Sequence, residues 1–75
     1  MSTSNEIDAR GLLCPLPVLK LRKKINTIEA GETVILISDD PASVVDVPHF
    51  CQEAGHILID QFSDGDVQKF TVKRG

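Results

Sequence analysis

The chain has 75 residues, eight of them basic and eleven acidic, a net charge of -3, and two cysteines. That length fits one domain with a small core, hiding about 60% of the unfolded surface, and leaves no room for a nucleotide-binding fold beside a catalytic one. The acidic balance argues against an autonomous nucleic-acid binder. Two cysteines without zinc spacing argue against a disulfide scaffold or a metal site.

The first residues, MSTSNEIDA, have no basic start and no apolar run, so no signal peptide is expected. No stretch is long enough to span a bilayer. The expected compartment is the cytoplasm, with both cysteines as thiols and no membrane contact.

Residues 1–5 are polar and expected to fray. Ile7, Ala9 and Leu12 predict a short strand, with Asp8 and Arg10 facing away. Gly11 breaks it and turns the chain. A helix is predicted from Pro15 to Ile28, on a stripe of Val18, Leu21, Ile25 and Ile28, with a glycine cap near Gly31. Thr33–Ser38, TVILIS, is β-branched and apolar, as a central strand should be.

Asp40 as N-cap with Pro41 at the first helical position predicts a second helix. Ser43 with Asp46 is a rival start. Its apolar face reads as Val44, Val47, Cys51 and Ala54, with an interruption or kink at Pro48 and an end at Gly55. His56–Ser63 and Val67–Lys73 predict two strands around Asp64–Gly65, with Ile57 and Ile59 facing in. The order βαβαββ predicts an α/β (α+β) two-layer sandwich. It would have a small mixed four-stranded sheet and both helices on one face, with the strand order open.

Chemistry is expected at Cys14. As N-cap it would precede Pro15 and Pro17 at positions one and three, leaving the Leu16 amide as the free donor nearest the sulfur. A helix N-terminus lowers a thiol pKa, and the prolines stiffen the turn. No histidine is close in sequence and there is no Cys-x-x-Cys pair. Exchange at sulfur needs least from its surroundings, so a persulfide carrier fits. A buried structural thiol is the competing reading of Cys14. It would make the protein a non-catalytic regulatory or RNA-associated binding module. A redox pair of Cys14 and Cys51 is a third, although Cys51 reads as core. Lys20, Lys23 and Lys24 form a basic helix face, a candidate docking surface for an acidic protein or a tRNA phosphate.

These residues resemble the TusA/SirA family of sulfur carriers. The likeness lies in IDARGLLCPLPVLKLRK (7–23), GETVILISDDPAS (31–43), DVPHFC (46–51), GH (55–56) and KRG (73–75). It covers nearly the whole chain, from Ile7 to Gly75, and implies a single domain over 1–75. The resemblance implies a sulfurtransferase with persulfide on Cys14 and no cofactor or metal. Asp8, Gly11, Pro15 and Pro17 map onto residues shaping the active loop, and Asp39, Asp40 and Pro41 onto a supporting acidic turn. Implied donors are a cysteine desulfurase or a rhodanese, and the implied acceptor is a relay protein of the DsrE/TusD kind. The route ends in tRNA wobble-uridine 2-thiolation in some members, with indirect tRNA contact. In others it serves sulfur oxidation or molybdenum cofactor supply.

Overall fold

The alternation within TVILIS sets the centre of the fold. In the computed structural model, which describes residues 5–75, this segment is strand β2 (Thr33–Ser38). Its Val34, Leu36 and Ser38 are buried on one face, while Ile35 and Ile37 are half-buried on the other. The remaining elements are β1 (Glu6–Asp8), α1 (Leu16–Ile25), α2 (Ser43–Ala54), β3 (Ile57–Asp64) and β4 (Val67–Lys73). The expectation of fraying over residues 1–5 falls, for residues 1–4, outside the described residues. Asn5 is tied down, because its carbonyl accepts the Ile35 N–H at 2.8 Å.

The sheet order is β1-β2-β4-β3. β1 runs parallel to β2, with Ile7 opposite Leu36, and β4 is antiparallel to both β2 and β3. The predicted mixed sheet of four strands is therefore present. Both helices cover one face. Leu21 and Ile25 of α1 and Val47, Phe50 and Cys51 of α2 share one buried cluster with Val34, Leu36, Phe70 and Val72. Each large side chain buried there contributes about 1.5–3 kcal/mol.

Several boundaries and faces differ from expectation. α1 begins one residue later and ends at Ile25, with Asn26 as its C-cap. Ile28 still reaches the core from the following turn, and Gly31 lies beyond it rather than capping the helix. α2 starts at Ser43, so Asp40 is not its N-cap; a turn at Asp40–Ser43 leads in, with the Ser43 N–H donating to the Asp40 carbonyl at 3.0 Å.

α2 runs unbroken through Pro48. The proline cannot donate to the Val44 carbonyl, but Val44 is 40% exposed, so water can reach that turn. The buried stripe is Ser43, Val47, Phe50 and Cys51, and Val44 and Ala54 face out. Gly55, at φ 80°, ends the helix in the left-handed region.

β3 departs most. Leu58 lies opposite buried Val72 and Ile57 opposite exposed Lys73, and a register shift between Leu58 and Asp60 leaves Ile59 without a partner on β4. Leu58 packs on the core, and Ile57 and Ile59 are 53% and 52% exposed instead of facing in. Among the described residues no helix is long and apolar enough to cross a membrane.

Candidate functional site

The loop between β1 and α1 carries Cys14, and the acidic turn after β2 holds that loop in place. β1 and β2 are parallel neighbours, so their C-terminal ends lie side by side. There the Gly11 N–H donates to Asp39 Oδ1 at 2.9 Å, and the Cys14 N–H donates to Asp40 Oδ2 at 2.5 Å. Asp40 is buried. Its other oxygen accepts the Ala42 N–H at 3.1 Å, and its own N–H donates to Ser38 Oγ at 3.2 Å. Ser38 is fixed in turn by a buried contact with Ser43 Oγ at 2.8 Å. The end of β2, the start of α2 and the Cys14 loop thus form one hydrogen-bonded unit. Gly11 sits at φ 84°, which glycine adopts without steric cost.

The Asp8 carboxylate takes its hydrogen bonds from Arg10 instead of from this unit. It pairs with Arg10, with Oδ2 2.9 Å from the guanidinium, and the side-chain hydrogen bond from Arg10 lowers its pKa to about 2. Its place is the edge of the loop rather than the sulfur.

The helix start differs from the predicted one. Pro15 is the N-cap, Pro17 is buried inside the first turn, and Cys14 lies one residue before the cap. The Cys14–Pro15 peptide bond is cis. The Leu16 amide is not free, because it donates to the Leu13 carbonyl at 2.8 Å. Pro15 supplies its carbonyl to the Leu19 N–H at 3.1 Å.

Cys14 is exposed, and its thiol donates to Asp46 Oδ2 at 2.9 Å. This contact reverses the expected electrostatics. The hydrogen bond to Asp46, with burial and the charges of Asp46 and Asp40 adding to it, pushes the thiol pKa up, not down. A full negative charge in contact with the sulfur outweighs the partial charge of a helix end.

Beyond the sulfur a groove of about 390 Å³ opens between the helices. Val18 and Arg22 of α1 form one wall, and Asp46, His49, Phe50 and Glu53 of α2 the other. Lys20, Lys23 and Lys24 are not in it. With Thr27 and Ile7 they line a separate hollow of about 340 Å³. Arg22 is the basic residue that shares the groove with Cys14. Cys51 is buried in the core, and both cysteines are free thiols. Among the described residues no three His, Cys, Asp or Glu side chains gather as metal ligands.

The thiol contact with Asp46 was not legible, because 32 positions separate the pair. The only local signal was an acidic residue in the first turn of a helix, which reads as capping.

The chain matches the family model described as sulfurtransferase TusA over residues 5–74. Among solved structures it is similar to the SirA-like protein from Desulfitobacterium hafniense. The two are 28% identical with a TM-score of 0.82, over 93% of this chain and 96% of that one.

Proposed function

Because the chain belongs to the TusA sulfurtransferase family, we propose that it carries sulfane sulfur as a persulfide on Cys14 and passes it to an acceptor protein. The observation that carries this reading is the exposed thiol lining the α1–α2 groove, on a loop anchored by Asp39 and Asp40. An anchored loop presents the sulfur in a fixed place, and the groove leaves room for a partner's cysteine-bearing segment.

Loading is exchange at sulfur. The Cys14 thiolate attacks the outer sulfur of a donor persulfide, the new S–S bond forms, and the donor's own S–S bond breaks. The donor leaves as a thiolate and takes up the proton that Cys14 lost. No oxidant, metal or resident cofactor enters the balance. The donor is a cysteine desulfurase or a rhodanese, and the acceptor a relay protein of the DsrE/TusD kind. Any tRNA is served through that relay. The carrier works in the cytoplasm, where its thiols stay reduced.

The test is intact-protein mass spectrometry after incubation with a cysteine desulfurase and cysteine, or with a thiosulfate-charged rhodanese. Wild type and Cys51→Ser should each gain one sulfur that a reductant removes. No gain from either donor would overturn the proposal.

If the hollow lined by Lys20, Lys23 and Lys24 steers the partner, reversing Lys20 and Lys23 to glutamate slows transfer several-fold at low salt. The loss shrinks at high salt, since exposed charges are screened beyond about 8 Å at physiological ionic strength. Stopped-flow transfer rates across a salt series check this. Equal rates for both proteins at every salt concentration remove that face from docking.

A further inference from the structure

Resting on the reading of Cys14 as the sulfur-bearing residue, we infer that Asp46 is a lock on that sulfur. Its carboxylate takes the thiol's hydrogen bond in the free carrier, and a cationic side chain of the docked protein releases the sulfur by pairing with Asp46.

Three observations carry this. Asp46 Oδ2 lies 2.9 Å from Sγ, and the contact joins two different elements. Asp46 also has no cationic partner: among the described residues the one ion pair is Arg10 with Asp8. Finally, Cys14 and Asp46 both line the groove between the helices, so the contact faces whatever enters it. The charged and titratable groups facing that groove are Arg22 from α1 and Asp46, His49 and Glu53 from α2, with Asp40 behind the loop. None of the cations among them pairs with Asp46.

The chemistry follows from the carboxylate's position. A negative charge against Sγ disfavours the thiolate, which is both the attacking and the leaving form of this sulfur. The free carrier is therefore slow to react with stray electrophiles. Once loaded, it is also slow to release sulfur. In discharge, an acceptor thiolate attacks the outer sulfur of the persulfide, a new S–S bond forms, and the bond at Cys14 Sγ breaks. Cys14 leaves with the electron pair and takes a proton from solvent. A partner cation beside Asp46 cancels the charge that opposes this step. The partner should thus carry an arginine or lysine near its own reactive cysteine.

The experiment uses charged thiol reagents, so it does not depend on sulfur carriage. Cys14 in the full chain is titrated with a cationic and an anionic methanethiosulfonate, each rate normalised to a small free thiol. In wild type the cationic reagent should react several-fold faster than the anionic one, because the Asp46 carboxylate beside Sγ attracts the first and repels the second. Asp46→Asn, which keeps shape and removes charge, should bring the two rates together. It should also raise alkylation by neutral iodoacetamide at neutral pH several-fold, since removing the charge beside Sγ favours the thiolate. Asp46→Ser is the second variant, and a circular dichroism melt confirms that each is folded. No charge preference in wild type, or a preference that survives in both folded variants, overturns the lock. Failure of wild type to gain sulfur from any donor overturns the carrier reading instead, and leaves these reagent rates interpretable.

Discussion

A Cys14→Ser variant is expected to gain no sulfur from any donor while unfolding at the same denaturant midpoint as wild type. The fold has little reason to notice the change. Cys14 is exposed, and its tie to the buried turn runs through its backbone N–H, which donates to Asp40 whatever the side chain is. A serine hydroxyl can also donate to Asp46 Oδ2, as the thiol does at 2.9 Å. The loss of chemistry is complete because an alcohol oxygen forms no persulfide-like bond with sulfane sulfur under these conditions. Cys51 cannot substitute, since it is 3% exposed and packed between the helix and the sheet. Mass spectrometry of the serine variant beside wild type checks this. Equal sulfur on both proteins would dismiss Cys14 as the carrier atom.

The pH profile has a definite sign. Asp46 first, then burial and the charge of Asp40, raise the thiol pKa from its ordinary value. Alkylation of wild-type Cys14 should therefore climb with pH later than that of an ordinary exposed thiol, and the Asp46→Asn curve should lie to its acid side. A helix-start cysteine read from sequence alone predicts the opposite displacement.

That contrast marks where the residues were informative. Local patterns held: TVILIS is β2 as predicted, the α1 stripe reaches the core through Leu21 and Ile25, and Gly55 stops α2. The loop that presents Cys14 was visible for the same reason, because Gly11, Pro15 and Pro17 constrain their own neighbourhood. Events set by partners were hidden. The β3 register shift is a backbone event with no signature in the alternation of Ile57, Leu58 and Ile59. The order β1-β2-β4-β3 depends on which edges meet. The electrostatics of Cys14 turn on a carboxylate of α2, 32 positions away in sequence, and a helix-end effect taken alone has the opposite sign. The acidic turn could be read as support, but which oxygen holds which amide required the fold.

That turn yields the largest expected effect on stability. Asp40→Ala should cost about 2–4 kcal/mol, since it removes two charge-assisted hydrogen bonds worth about 1.5–3 kcal/mol each and such losses are not additive. The bonds are those to the Cys14 and Ala42 amides, made by a side chain only 7% exposed. A core of this size supplies about 3–5 kcal/mol in total, so the variant should stand at the edge of unfolding. Asp39→Ala is the control. Asp39 holds the same loop through one bond, to the Gly11 amide, and is half-buried, so its loss should be about 1–2 kcal/mol. Asp40→Asn should fall between, because an amide retains one acceptor but sets a donor against the second N–H. Urea midpoints for the three variants test the order. If Asp40→Ala matches wild type, the loop is held by its prolines and Gly11 alone. If Asp40→Ala loses stability and the folded fraction also presents Cys14 to reagents at an altered rate, the buried carboxylate both stabilises the fold and fixes the sulfur's position.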